Sequence, residues 1–123
     1  MKHIAILDIG KTNAKTVLLD AVSGEEIAAR RIPNTVLHDG PYPHYDLETL
    51  WGFFLKSLTE FAKAPGFDAI SITTHGASAV LLDKDGELAM PMLDYEHDYG
   101  AETREAYARI KPDFALTYSP TLS

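Results

Sequence analysis

The densest run of side chains able to do chemistry is Asp8-Ile9-Gly10-Lys11-Thr12-Asn13-Ala14-Lys15. A carboxylate at a strand end can hold Mg²⁺ through water, because that ion keeps much of its hydration, and Asp8 is the candidate metal ligand. Gly10 lets the backbone turn tightly and approach a ligand closely. Thr12 and Asn13 offer donors beside exposed backbone N–H groups, a combination suited to phosphoryl oxygens. Lys15 supplies a cation for the charge that spreads during phosphoryl transfer. With Lys11 in the same loop, the candidate phosphate-binding set is Gly10, Lys11, Thr12, Asn13 and Lys15. The same residues also fit a plain hairpin turn with both lysines in solvent, and so short a motif does not separate the two readings. Gly10-Lys11-Thr12 does imitate the end of a Walker A loop. That motif needs glycine where Ala5 stands and a helix after the threonine, so it is excluded.

The other chemically capable residues carry less on their own. His75, after Thr73-Thr74, fits a structural histidine better than a catalytic one when read alone. His38, His44, His75 and His97 share no metal-ligand spacing. Asp83-Lys84-Asp85-Gly86 opens like a calcium loop, but the later ligands are missing, so a hairpin turn explains it better. Trp51, Phe54 and Phe61 read as core, and Tyr42 and Tyr45 read as parts of a packed, proline-flanked loop.

The elements that must hold these residues follow from patterning. Ile4–Leu7 is a short apolar run that suits a buried strand. Thr16–Asp20 and Glu26–Ile32 follow after turns, predicting an antiparallel three-strand meander. Residues 34–45 read as loop. Asp46 then caps a helix in which Leu47, Leu50, Trp51, Phe54, Leu58 and Phe61 recur at spacings of three and four, and Pro65-Gly66 stops it. Asp68–Thr74 reads as a strand. Ala79–Leu82 and Glu87–Met90 read as a hairpin around Asp85-Gly86, Ala101–Lys111 as a helix, and residues 112–123 give no element. The fold class is α/β, a mixed sheet beginning with an antiparallel meander and covered by helices.

The totals narrow the partners. At 123 residues, 46% hydrophobic and 24% charged, the chain fits one ordinary globular domain. Eleven basic against eighteen acidic residues leave a net charge of −7, which argues against binding nucleic acid or an anionic membrane. There is no cysteine for disulfide or thiolate chemistry. No signal-peptide core and no membrane-length apolar run is present, so a cytoplasmic protein is the simplest expectation.

The Asp-x-Gly-x-Thr loop resembles the first phosphate motif of the actin, Hsp70 and sugar kinase superfamily. Ile72-Thr73-Thr74-His75-Gly76 through Asp83-Lys84-Asp85-Gly86-Glu87-Leu88 resembles the sugar-site hairpin of the FGGY carbohydrate kinases. Gly40-Pro41-Tyr42-Pro43-His44, leading into the Trp51 helix, is similar to that family too. The resemblance covers residues 3–97. It implies an RNase H-like N-terminal subdomain, with a phosphate loop at 8–15 and a sugar-site hairpin at 70–90. It implies ATP and Mg²⁺ as cofactors, a small sugar or polyol as substrate, and room for a homodimer.

By that resemblance Asp8 binds the metal, and Thr12, Asn13 and Lys15 contact phosphate. His75 and Gly76 meet the sugar, with Asp94 and Glu96 as further candidate sugar contacts. Relatives often carry Trp-x-Asp-x-Arg where this chain has Leu93-Asp94-Tyr95-Glu96 with its neighbours, without the Trp or the Arg. Lys11 stands where many relatives carry Thr, Ser or Ala, which leaves its role open. The family's general base lies further along than this sequence reaches, so the expectation is an N-terminal fragment inactive alone. An actin-like or chaperone-like assembly module, and a free-standing partner-binding domain, are the competing expectations.

Overall fold

The computed structural model describes residues 2–119. Strand β1 (His3–Ile9) pairs antiparallel with β2 (Asn13–Asp20), and β2 pairs antiparallel with β3 (Glu26–Pro33). The expected meander is present, with longer strands than the apolar runs alone mark out. β1 continues through Asp8 and Ile9, and β2 begins at Asn13 rather than Thr16. The reason is Ala14, whose small side chain is fully buried in a cluster with Leu7, Leu50 and Phe54. Pairing therefore runs to Ile9–Ala14 and compresses the turn to Gly10, Lys11 and Thr12.

Two short strands, β4 (Val36–Leu37) and β5 (His44–Tyr45), form a ribbon inside the segment expected to be loop. Helix α1 (Leu47–Lys63) follows. Its first turn is capped by Asp46, whose Oδ1 accepts the Thr49 N–H at 3.0 Å. That bond stabilises the Asp46 carboxylate and lowers its pKa. Leu50, Phe54, Ser57 and Phe61 are the buried face of α1. Phe54 packs with Leu7 and Ala14, and Phe61 packs with Ala5 and Leu18. Trp51 departs from expectation: it is 64% exposed and takes no part in this core. Leu50 and Phe54, on either side of it in the helical stripe, reach the sheet instead.

Strand β6 (Ala69–Thr74) joins β1 in parallel on its free side, giving the sheet order β3-β2-β1-β6. Its register sets Ile70 beside Ala5 and Ile72 beside Leu7, so both isoleucines fall on the face that α1 covers elsewhere. The helix does not extend over them, and they remain 50% and 66% exposed.

Past β6 the chain is less regular than expected. Residues 79–90 reverse at Asp83–Gly86 but form a single bridge, Leu82 to Leu88, instead of two strands. Asp83 Oδ1 accepts the N–H groups of Asp85 and Glu87, which fixes the turn locally. Every residue from 81 to 90 is exposed, so no packing draws the flanks into a ladder. Helix α2 (Ala101–Ala108) is shorter than its pattern, and a single helical turn, α3 (Phe114–Thr117), stands in the stretch that predicted no element. Neither α2 nor α3 buries a residue, so among the described residues α1 is the helix that covers the sheet.

Candidate functional site

The β1–β2 turn is held by backbone geometry and by one buried amide. The Gly10 N–H donates to the Asn13 carbonyl at 2.9 Å. A Cβ on residue 10 would lie 2.8 Å from that same oxygen, closer than real Cβ atoms come, so glycine is required. Asn34, just past β3, is buried; its Nδ2 donates to the Gly10 carbonyl at 2.9 Å, and its backbone N–H donates to the Thr12 carbonyl at 2.9 Å. Thr12 and Asn13 are left exposed on the fixed turn, with Asn13 Nδ2 donating to Thr12 Oγ1 at 3.1 Å.

Register aligns three polar residues across the sheet at the turn end. Asp8 is opposite Lys15 on β2 and beside Thr73 on β6. Strand alternation puts this row on the face away from α1, since Leu7 and Ala14 occupy the helix side. Asp8 and Lys15 are half-buried, and Thr73 is exposed. A cation beside a carboxylate, with a hydroxyl on the other flank, makes a compact polar end to an otherwise apolar sheet.

The second half of the site leaves β6 directly. The His75 N–H donates to the Ile9 carbonyl at 2.9 Å, which carries the β1–β6 pairing one residue past the strand. His75 Nδ1 lies 3.0 Å from the Gly76 carbonyl, so the proton sits on Nδ1. Nε2 is buried and has no hydrogen-bond partner among the described residues. The ring packs against Tyr45 at 5.8 Å and Tyr95 at 5.6 Å between centroids. Ala77 follows with φ of 65°, a left-handed conformation that a residue with a Cβ adopts at some cost and that is common at sites holding ligands.

Asp94 and Glu96 reach the same region through the β4–β5 ribbon. The Asp94 N–H donates to the Pro43 carbonyl at 3.0 Å, and the Tyr45 N–H donates to the Met92 carbonyl at 3.0 Å. Asp94 Oδ1 accepts the Glu96 N–H at 3.1 Å and the Tyr45 hydroxyl at 3.5 Å. Glu96 is ion-paired with Lys11 of the turn. The fold thus links the turn, through Lys11, to Glu96 and Tyr95 and so to Asp94 and His75, with Gly76 contributing a carbonyl to His75, while Asp8 and Lys15 lie at the same sheet end on the face away from α1. Among the described residues no three His, Cys, Asp or Glu side chains group as a metal cage, so Asp8 stands as a single carboxylate.

Sequence reasoning did not single out Asn34, Thr73, Ser78 or Tyr95. Thr73 is visible only once the parallel β1–β6 register is known. Tyr45, read as loop packing, turns out to be the buried wall beside His75. Burial, then the Asp94 carboxylate and Tyr95, push its hydroxyl up to about 12. Because the folded value is raised, the neutral phenol's contribution to stability is complete below pH 10 and is lost as pH rises through about 12. An NMR titration of the tyrosine ring carbons should show Tyr45 still protonated well above pH 10, and a midpoint near 10 would contradict this packing.

Beside His75 lies a groove of about 820 Å³ between α1, β6 and the 78–88 segment. Its walls are mostly Trp51, Phe54, Ile72, Val80, Leu82 and Leu88, a lining with too few polar groups to recognise a sugar ring. The polar atoms lie at the His75 end, where Ser78 Oγ is also unpartnered.

Sugar kinases are among the solved structures that share this fold. A carbohydrate kinase from Novosphingobium aromaticivorans superimposes with a TM-score of 0.84 at 31% identity, covering 96% of this chain and 25% of that one. Plasmodium falciparum glycerol kinase with ADP shares the fold, with a TM-score of 0.70 at 12% identity over 91% of this chain and 24% of that one. The family model for the N-terminal domain of the FGGY carbohydrate kinases matches residues 3–110, and the chain belongs to that family. It is 29% identical over 106 residues to a rhamnulokinase from Bacteroides thetaiotaomicron, covering 82% of this chain and 21% of that protein. The chain therefore spans between a fifth and a quarter of the length of these relatives. None of its described helices is long and apolar enough to cross a membrane.

Proposed function

We propose that this chain forms the opening part of a kinase that transfers the γ-phosphoryl group of ATP to a hydroxyl of a small sugar or polyol. In this reading residues 8–15 are the phosphate loop and residues 70–90 the sugar-site hairpin of one partial domain. One observation carries it: the hydrogen bond from His75 to Ile9 fixes the start of the sugar hairpin against the strand that carries Asp8. Two polar centres with different tasks then lie at the same end of one sheet, as transfer between two bound molecules requires.

The residues fit the nucleotide and its ion. A single half-buried carboxylate, Asp8, suits a Mg²⁺ that retains its waters, and exposed Thr12 and Asn13 beside Lys15 suit phosphoryl oxygens. Bound Mg-ATP supplies the phosphoryl group and much of the neutralising charge. Asp8 orients the hydrated ion, and Lys15 balances the developing negative charge. Asn34 and Gly10 keep the turn from collapsing into its own carbonyls. His75, whose Nε2 is buried and unpartnered among the described residues, is assigned to a substrate hydroxyl, while Asp94, held by Tyr45, shapes the wall beside it. The general base comes from the remaining length of such a kinase. ATP dependence points to the cytoplasm.

The test is ADP release by the kinase carrying this chain, with Mg-ATP and a panel of ketoses, aldoses and polyols. Release stimulated by at least one of them is the expected result. ATP binding with no stimulation by any acceptor would turn the assignment toward an actin-like or chaperone-like module.

A further inference from the structure

Lys11, in the β1–β2 turn, contacts the segment that follows Asp94. Its Nζ pairs with Glu96 Oε2. The same Nζ lies 5.9 Å from the centroid of the Tyr95 ring, within range of a cation–π contact. Tyr95 packs on His75 at 5.6 Å. A single loop side chain therefore engages two consecutive residues after Asp94 and, through one of them, reaches the histidine beyond β6. The turn is already secured by Asn34, just past β3, so Lys11 is not needed to close it.

We propose that Lys11 is a positioning residue. Through Glu96 and Tyr95 it ties the phosphate turn to the 94–96 segment, and it is not itself a ligand of the phosphoryl group. Charge supports this. Without Lys11, Glu96 would add a second uncompensated carboxylate close to Asp94, in a segment where substrate hydroxyls must approach. A lysine moved onto phosphate would leave that carboxylate bare and release the Tyr95 ring. The ammonium and carboxylate are 36% and 52% exposed, so the tie is of the modest strength usual for surface pairs reinforced by one further contact.

The inference deepens the kinase reading, and its substrate arm rests on it; the structural arm does not. In this chain, hydrogen exchange of the Gly10 and His75 amides should quicken by about two- to fivefold in Lys11→Met and equally in Glu96→Gln. The double variant should be no faster than either, and Lys11→Glu combined with Glu96→Lys should restore protection. Unchanged exchange in the single variants, or additive effects in the double, would overturn the tie. In the active kinase, Lys11→Met and Glu96→Gln should each raise the sugar KM by a similar two- to fivefold while the ATP KM stays within about twofold. A raised ATP KM with an unchanged sugar KM would instead make Lys11 a phosphate ligand and defeat the proposal. If the unmutated kinase shows no acceptor-stimulated turnover, the kinase reading fails, and the exchange result still decides the tie.

Discussion

Asp8→Asn is expected to lower kcat of the kinase carrying this chain by about 10²–10³-fold, with little change in melting temperature. Asparagine keeps the size and one acceptor of aspartate but loses the charge that orients a hydrated Mg²⁺. The fold should tolerate it, because Asp8 lies at the polar end of β1 and is only half-buried, and its backbone pairs with Lys15 and Thr73 whatever the side chain. The useful comparison is kcat against the KM for ATP. Loss of an interaction made mainly in the transition state lowers kcat and kcat/KM together. Normal turnover in Asp8→Asn would remove the role assigned to this carboxylate, and unfolding of the variant would show that its place in the sheet is structural.

The second large effect is on stability. Phe54→Ala should cost about 3–5 kcal/mol, out of the 5–15 kcal/mol typical of a domain. Phe54 is 3% exposed and joins α1 to both β1 and β2 through Leu7 and Ala14. Leu50 and Phe61 seat the same helix on the sheet, so the backbone stays in place and the truncated ring leaves a cavity. Urea unfolding followed by circular dichroism measures the loss. Trp51→Ala is the companion variant: at 64% exposure it should shift the midpoint far less. Equal losses in the two would mean that the helix seats on the sheet by another face.

How much of this was legible in the sequence depended on whether a local pattern had a single use. The stripe from Leu47 to Phe61, with Asp46 before it, defined α1 closely, because period and cap agreed. It misplaced Trp51, since a stripe of threes and fours is wider than the face a flat sheet can cover. The meander was legible from its turns, but its strand ends were not, because burial of Ala14 is a tertiary fact that no propensity encodes. Asp8, Gly10, Thr12, Asn13 and Lys15 could be named from the motif. That His75 sits one hydrogen bond from Ile9 could not, since parallel pairing across more than sixty residues leaves no trace in either strand alone. The hairpin expected at 79–90 is reduced to one bridge beside its turn, because its exposed flanks lack the packing that would extend them into a ladder.

Parallel attachment of β6 also sets an order of assembly. The meander closes through turns of a few residues, and α1 can coil on its own stretch of chain, whereas β6 must return across the whole of both before its first bond to β1 forms. Loop-closure entropy makes such a return late in folding, and topology of this kind slows it. The turn proposed to meet phosphate is thus built early, while the histidine proposed to meet the acceptor arrives late.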